Sequence, residues 1–306
     1  MKLSIVTTLY RSQQYINEFY ELISINANKI TSDFEIIFVN DGSPDKSVET
    51  VLELRKNDNK VKLIDLSRNF GHHYAIMAGL NFASGEYIYL TDCDLEVSPE
   101  TILEFHQKIS TQEIDVVYGF QEERKGKFIE KTGGSLFWKI INKFGNLDIP
   151  QNVVTERLMS RKYVENLISL GDKNLFLAGM MSWTGFRQIG IPVKKKQRKG
   201  NSTYSVVKRI KLATEAITSF SIVPLKLMFN FGIIITFASI IGIVFIVVRK
   251  LIFPDQILIG YTSLMIMIMF ALGVIVCSLG VIGMYLSKIF IQTQNRPLYI
   301  VKNIYL

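Results

Sequence analysis

Tyr87-Ile-Tyr-Leu-Thr-Asp-Cys-Asp-Leu95 is the stretch on which the reading of this chain turns. Tyr87–Leu90 is a short apolar β-run, and two carboxylates, Asp92 and Asp94, follow it one residue apart. In an extended chain residues i and i+2 point the same way, so both can face one ligand. Paired hard oxygens suit Mg²⁺ or Mn²⁺, which in turn bridge the phosphates of a nucleotide. A D-x-D pair alone is equally an acidic loop between strand and helix. Its weight comes from its surroundings.

Outward from this run, strand and helix patterns alternate. Leu3–Leu9, Phe34–Val39, Val61–Leu66 and Val116–Tyr118 read as further strands, and Tyr15–Ile30, Val48–Leu54, His73–Ala83 and Pro99–Ile109 as helices. The turn Asn40-Asp41-Gly42-Ser43-Pro44 closes the second strand. Strands alternating with helices predict an α/β fold with a Rossmann-like, mostly parallel sheet. Ligands of such sheets bind at the carboxyl ends of the strands, where Asp41, Asp92 and Asp94 fall.

The second half changes character. Mean hydropathy over the 306 residues is +0.23, and the excess is concentrated late in the chain. Leu227–Val248 is 22 residues without a charge, and Gln256–Ser287 is 32. At about 1.5 Å per residue either can cross a bilayer core. The connector of about 249–256 is too short for a domain, so the two stretches predict a transmembrane hairpin with both flanks on one side. Between Phe186 and Thr214 stand nine Lys or Arg and no acid, against a net charge of +8 for the whole chain. Such a basic flank predicts a cytoplasmic N-terminal region. Leu3–Leu9 is too short for a signal-peptide core, and Cys93 and Cys277 are too far apart in the pattern to suggest a disulfide. The basic run Lys194–Lys199 lies beside a membrane segment, so lipid phosphates and anionic headgroups explain it better than nucleic acid. Val206, Ile210, Ala213, Ile217 and Phe220 line one face of a helix whose other faces are basic, the pattern of an interfacial helix. The expected organisation is therefore a cytoplasmic domain over 1–205, an amphipathic helix over 206–226, spans at 227–248 and 257–287, and a cytoplasmic tail over 288–306.

Several further motifs occur in order along the chain: Val39-Asn-Asp-Gly-Ser43, Leu66-Ser-Arg-Asn-Phe-Gly71, Asp92-Cys-Asp-Leu95 with Pro99-Glu100, Arg157-Leu-Met-Ser-Arg161, Gly185-Phe-Arg-Gln-Ile-Gly-Ile-Pro192, Gly200-Asn-Ser-Thr-Tyr204, Ser219-Phe-Ser221, and Arg296-Pro-Leu-Tyr299. Taken together they resemble the bacterial polyprenyl-phosphate (bactoprenol) glycosyltransferases. These are membrane-attached members of glycosyltransferase family 2, with the dolichyl-phosphate-mannose synthases as broader relatives. The resemblance implies a GT-A catalytic domain that takes a sugar from a nucleotide sugar to polyprenyl phosphate at the bacterial inner membrane, for cell-envelope glycans. It implies Asp92 and Asp94 as ligands of Mg²⁺ or Mn²⁺. Asp94, Arg157 and Glu156 become the candidate catalytic residues. Asp41, Tyr10, Arg68, His72, Asp92, Arg198, Ser202 and Tyr204 become the candidate donor and acceptor contacts. The expected partners are the nucleotide sugar, the lipid phosphate and the bilayer, with no nucleic acid; a homo-oligomer is compatible with all of this.

The chain departs from the family pattern where mechanism is concerned. Thr8-Leu-Tyr10-Arg11-Ser12 replaces the usual first-loop motif, and Val97 stands where many relatives have an acid. Thr155 occupies the position of the Asp often assigned as base, with Glu156 one residue along. Either Glu156 takes over, or no base is needed because a phosphate monoester, with a second pKa near 6, is already mostly a dianion. A sugar hydroxyl acceptor would need proton removal. The second, baseless route is the one expected here.

Overall fold

The computed structural model describes residues 2–122, 149–150, 152–196, 218, 221–252 and 260–306. Its centre is one eight-stranded mixed sheet. In chain order the elements are β1 (Leu3–Leu9), α1 (Gln13–Asn28), β2 (Phe34–Asn40), α2 (Ser47–Asn57), β3 (Val61–Leu66), α3 (His72–Phe82), β4 (Tyr87–Leu90), α4 (Thr101–Thr111), β5 (Val116–Phe120), β6 (Val153–Ser160), α5 (Arg161–Ser169), α6 (Leu177–Trp183), β7 (Gln188–Pro192), α7 (Val223–Ile252), α8 (Tyr261–Thr293) and β8 (Val301–Tyr305). Across the sheet the order is β7-β5-β6-β4-β1-β2-β3-β8. The strands β3, β2, β1 and β4 run parallel, with β8 antiparallel on one flank and β6 antiparallel on the other.

Both faces of the central strands are covered. On one face Ile16, Phe19 and Ile23 of α1, Val51 of α2 and Phe105 of α4 pack on Ile5, Ile36 and Phe38. On the other, Ala75, Ile76 and Leu80 of α3 and Val164 and Leu167 of α5 pack on Val6, Ile37 and Ile64. That is why apolar residues of β1 and β2 stand on both faces of the strands, as in Ile5-Val6 and Ile36-Ile37-Phe38, rather than at alternate positions only.

The amino ends of the strands are locked by a buried acid. Glu35 Oε1 accepts from Ser4 Oγ at 2.5 Å and from the Ser84 amide and hydroxyl at 2.7 Å each, while Lys62 Nζ lies 2.6 Å from its Oε2. Burial by itself pushes this carboxyl up, but Lys62, Ser4 and Ser84 outweigh it and hold it at about 2.

Two helices stand apart from the sheet. The stretches Val223–Gly242 in α7 and Phe270–Thr293 in α8 are long and apolar enough to cross a membrane, and neither is buried within the protein. Phe229, Phe237 and Phe245 of α7 and Leu272, Val276 and Leu279 of α8 are all exposed. The second helix runs beyond the expected span, to Thr293. The expected tail over 288–306 ends in a strand. Val301–Tyr305 returns to the sheet as β8, pairing Ile304 with Ile64 and Asn303 with Asp65. The Ser67 amide donates to the Ile300 carbonyl at 2.9 Å, and Arg55 donates to the Leu306 carbonyl. After α8 the chain thus comes back to the edge of the sheet. Of the expected amphipathic helix over 206–226, residues 206–217, 219 and 220 lie outside the described residues, and the stretch from Val223 onward belongs to α7.

A carboxyl held near 2 in the fold and near 4.3 unfolded stabilises the protein above the unfolded value, and that contribution is lost as pH falls through the folded value. The melting temperature of the wild type should therefore drop between about pH 4.5 and pH 2. Glu35→Gln should melt lower at pH 7 and lose that part of the acid dependence. Thermal unfolding in detergent across this pH range checks it, and parallel curves for the two proteins would refute it.

Candidate active site

The polar residues gather at the opposite, carboxyl ends of the parallel strands. Just past β2, Asp41 is 3% exposed. Its Oδ1 accepts from the Phe70 amide at 2.7 Å and its Oδ2 from the Gly71 amide at 3.0 Å. Asp41 therefore anchors the loop that leads into α3. Gly42 is required there: its φ is +60°, and an added Cβ would sit 2.4 Å from the Asn69 nitrogen. Asn40 adds a second tie, donating to Asp65 at 2.7 Å and accepting from the Ser43 amide at 3.1 Å. Asp65 also accepts from Asn303 of β8 at 3.3 Å.

The first loop is held by an acid that the sequence did not single out. Asp45 accepts from the Ser43 and Ser47 hydroxyls, each at 2.6 Å, and from the Gln13 amide at 3.1 Å. Burial opposes ionisation, but these bonds keep its carboxyl below the usual range. The Arg11 amide donates to Ser43 at 2.7 Å, and Arg11 holds a left-handed φ of 56°. Tyr10 is left on the surface, 48% exposed, with the Arg11 guanidinium 5.6 Å from its ring centroid. Arg68 is likewise outside, stacked 4.1 Å over Phe70.

Beyond β4 the D-x-D turn alternates as the sequence implies. Cys93 packs into the apolar core, while Asp92 and Asp94 remain partly accessible. Leu95 takes φ 58° to complete the turn. His72 spans two strand ends, with Nδ1 3.0 Å from Thr8 Oγ1 and Nε2 3.7 Å from Asp92 Oδ1. Burial raises the Asp94 carboxyl, and the fields of Glu96 and Asp92 add to this against one bond from the Glu96 amide. Lys195 lies 2.5 Å from Glu96, and the Lys196 amide donates to the Glu96 carbonyl at 2.7 Å. This pairing brings the start of the basic block to the acidic turn. Burial would lower Lys195, but Glu96, Asp94 and Asp92 raise it.

The β6 strand closes the other side. Thr155 and Arg157 line a cleft of about 630 Å³, together with His72, His73, Met181, Phe186 and Lys195. Glu156 does not line it. It lies buried behind, 3% exposed, where burial and then the field of Asp92 push its carboxyl up to about 7 against opposing backbone bonds and Lys195. Arg157 is 9% exposed. It donates to the Thr155 carbonyl at 3.3 Å and the Val154 carbonyl at 3.4 Å, and contacts Met181 Sδ. Burial lowers it from its ordinary value, yet a guanidinium remains charged at any physiological pH. Among the described residues no carboxylate lies within 4 Å of it. The polar lining residues Tyr118, Gln121, Asn152 and Ser182 were not singled out in the sequence, and Gln188 was present only as part of the Gly185–Pro192 motif.

Of the expected site residues, His72 and Arg157 line the cleft, Asp92 lies 3.7 Å from His72, Asp94 and the buried Glu156 stand near Asp92 without lining the cleft, and Asp41 braces the neighbouring loop. Tyr10 and Arg68 stand on the surface loops. Arg198, Ser202 and Tyr204 lie outside the described residues. Among the described residues no group of three or more His, Cys, Asp or Glu is gathered as for a metal ion. Among the described residues Asp92 and Asp94 have no Lys or Arg within 4 Å, and two such hard carboxylates make a donor set that fits a divalent cation.

Residues 4–168 match Glycosyl transferase family 2. A Mycobacterium tuberculosis protein named among putative glycosyltransferases is 36% identical over 305 residues, covering 100% of this chain and 89% of that one. The SfII prophage-derived bactoprenol glucosyl transferase of Shigella flexneri is 33% identical over 305 residues, covering 99% and 98%. Among solved structures, S. aureus TarS 1-349 in complex with UDP-GlcNAc matches with TM-score 0.48 and 18% identity, covering 72% of this chain and 66% of that one.

Gly42→Ala should displace the 68–71 loop, because both the positive φ and the close backbone forbid a side chain there. Left-handed strain alone is about 1–2 kcal/mol. The expected result is a lower melting temperature with faster amide exchange at Phe70 and Gly71. An unchanged melting temperature would contradict the packing described.

Proposed function

The chain belongs to Glycosyl transferase family 2 and is a glycosyltransferase; from that premise we propose that it transfers a sugar from a nucleotide sugar to polyprenyl phosphate, with inversion, at the inner membrane of a bacterium. The observation that carries the reading is the charge of the cleft: Arg157 and Lys195 line it, and among the described residues no carboxylate does. Asp92 lies next to it, with Oδ1 3.7 Å from Nε2 of the lining His72. The full-length likeness to proteins named bactoprenol glucosyl transferase supports a lipid-phosphate acceptor.

In this reading the donor diphosphate lies at Asp92 and Asp94. A divalent cation on these two carboxylates would neutralise the charge that grows on the leaving diphosphate. Arg157 holds the acceptor phosphate, its donors suited to phosphate oxygens. One acceptor oxygen forms a bond to the anomeric carbon while the bond from that carbon to the diphosphate oxygen breaks, and the electron pair leaves with the nucleoside diphosphate. The acceptor brings no proton that must be removed, so Thr155 is adequate where an acid would otherwise serve as base. Asp41, through the 68–71 loop, and Tyr10 and Arg68 on the rim belong to the donor side. Arg198, Ser202 and Tyr204 belong with the basic segment on the acceptor side. A sugar-hydroxyl acceptor is the weaker reading, because it would need a base in the cleft and Glu156 does not reach it.

Purified protein in lipid nanodiscs, given a panel of nucleotide sugars with undecaprenyl phosphate or undecaprenol, tests the proposal by mass of the glycolipid. Product is expected only from the phosphate, and its rate should fall as pH drops through the phosphate's second pKa near 6. Asp92→Asn and Asp94→Asn should lose most turnover and bind Mn²⁺ more weakly by titration. Glu156→Gln should retain turnover, whereas loss of a true general base would cost about 10²–10⁴-fold. Equal use of the free alcohol, or an inactive Glu156→Gln protein, would reject this mechanism.

The same reading has α7 and α8 span the bilayer with the sheet domain in the cytoplasm. The return of β8 to β3 supports it, since the chain that leaves α8 rejoins the sheet. A reporter placed after residue 306 should be active only when cytoplasmic, and one placed in the 253–259 connector only when periplasmic. The reverse pattern would overturn the orientation.

A further inference from the structure

The last turn of α8 is fastened to the wall of the cleft by one side chain. Gln292 uses both halves of its amide on the loop between α5 and α6. The Lys173 backbone amide donates to its Oε1 at 3.0 Å, and its Nε2 donates to the Gly171 carbonyl at 3.2 Å. The far side of that loop is tied to α3. The Tyr74 hydroxyl donates to the Lys173 carbonyl at 3.4 Å, and the Leu175 backbone bonds to His73. The loop then runs into α6, which supplies Leu177, Met181 and Ser182 to the cleft, and Met181 touches Arg157.

A second tie fixes the level of α8 against its neighbour. The Tyr285 hydroxyl donates to the Ser221 carbonyl at 2.6 Å, just before α7 begins. From Tyr285 to Gln292 is seven residues, about 10 Å of helix. The end of α8 therefore carries the cleft wall at a set distance below the point where α7 enters.

We propose that Gln292 is a positioning residue that sets the height and tilt of the cleft relative to the helix pair, so that a phosphate held in the membrane plane reaches Arg157. The inference rests on the reading of α7 and α8 as membrane spans and of the acceptor as a lipid phosphate. Its logic is one of confinement. A lipid acceptor presents its phosphate at a single depth, so its encounter with the cleft depends on where the cleft is held. A nucleotide sugar arrives from water and is indifferent to that height. Loss of the clasp should weaken use of the embedded acceptor and leave the donor untouched. Both halves of the amide are needed: Gln292→Glu keeps the acceptor for Lys173 but removes the donor to Gly171, and Gln292→Ala removes both.

The test uses the full chain in nanodiscs. For Gln292→Ala, kcat/KM for embedded polyprenyl phosphate should fall about fivefold or more, through KM, as expected for losing at least one net hydrogen bond. The KM for the nucleotide sugar and the rate with a short, water-soluble prenyl phosphate should not change, and Gln292→Glu should fall between the two proteins. Independently of any acceptor, amide exchange at Lys173 should quicken about fivefold in Gln292→Ala. Equal losses with both phosphates, no loss with either, or unchanged exchange at Lys173 would each overturn the proposal. A wild-type protein that uses neither phosphate would instead refute the acceptor reading, and the exchange at Lys173 would still decide the clasp.

Discussion

A parallel sheet buried on both faces can carry polar chemistry only at its strand ends, and the rest of this structure follows from that constraint. Side chains in the middle of β1, β2 and β4 meet helices above and below. Unpaired charge there would be prohibitively expensive. The amino ends are spent on a closed network around Glu35, in which an acid, a lysine and two serines satisfy one another. The carboxyl ends are left less than satisfied. Asp92, Asp94 and Glu156 crowd together under partial burial, and Asp94 and Glu156 are both driven above their ordinary range. One end of the sheet is built for stability, and the other gathers acids whose ionised forms are disfavoured.

How far the sequence discloses this depends on which faces are buried. The strands β1 to β5 and helices α1 to α4 were legible because their apolar periods are uninterrupted, and the structure moves their limits by only a few residues. The strand β6 was harder, since two adjacent charges, Glu156 and Arg157, interrupt its apolar pattern although both are buried. Gln188–Pro192 contains a glycine and a proline, which argue against a strand, yet it pairs at the sheet's outer edge, where such residues are tolerated. The strand β8 is short and largely exposed, and it follows two long apolar helices, so nothing local marks it. Its partner β3 is some 240 residues earlier, a pairing that no local pattern encodes.

The site was legible in the same uneven way. The D-x-D pair and its alternation with Cys93 follow from the strand period. Asp41 was visible as a residue, but its use of both oxygens on the Phe70 and Gly71 amides was not, because that depends on how two loops meet. Asp45 and the Glu96–Lys195 pair escaped notice for a related reason: each joins segments far apart in the chain.

Position 155 ties charge to mechanism. Thr155 and Arg157 lie on the same face of β6, both on the cleft wall, with the Arg157 side chain donating back to the Thr155 carbonyl. A carboxylate at 155 would stand beside the guanidinium, neutralise much of its field and repel a phosphate approaching it. In a partly buried cleft that interaction is screened far less than in water. Threonine leaves Arg157 and Lys195 as charges that line the cleft, while the acid of this strand, Glu156, stays off the cleft wall near Asp92. Threonine at 155 thus keeps the cleft lining free of carboxylates among the described residues. On the proposed reading such a lining favours an acceptor that arrives as a dianion and offers no base to one that must first give up a proton.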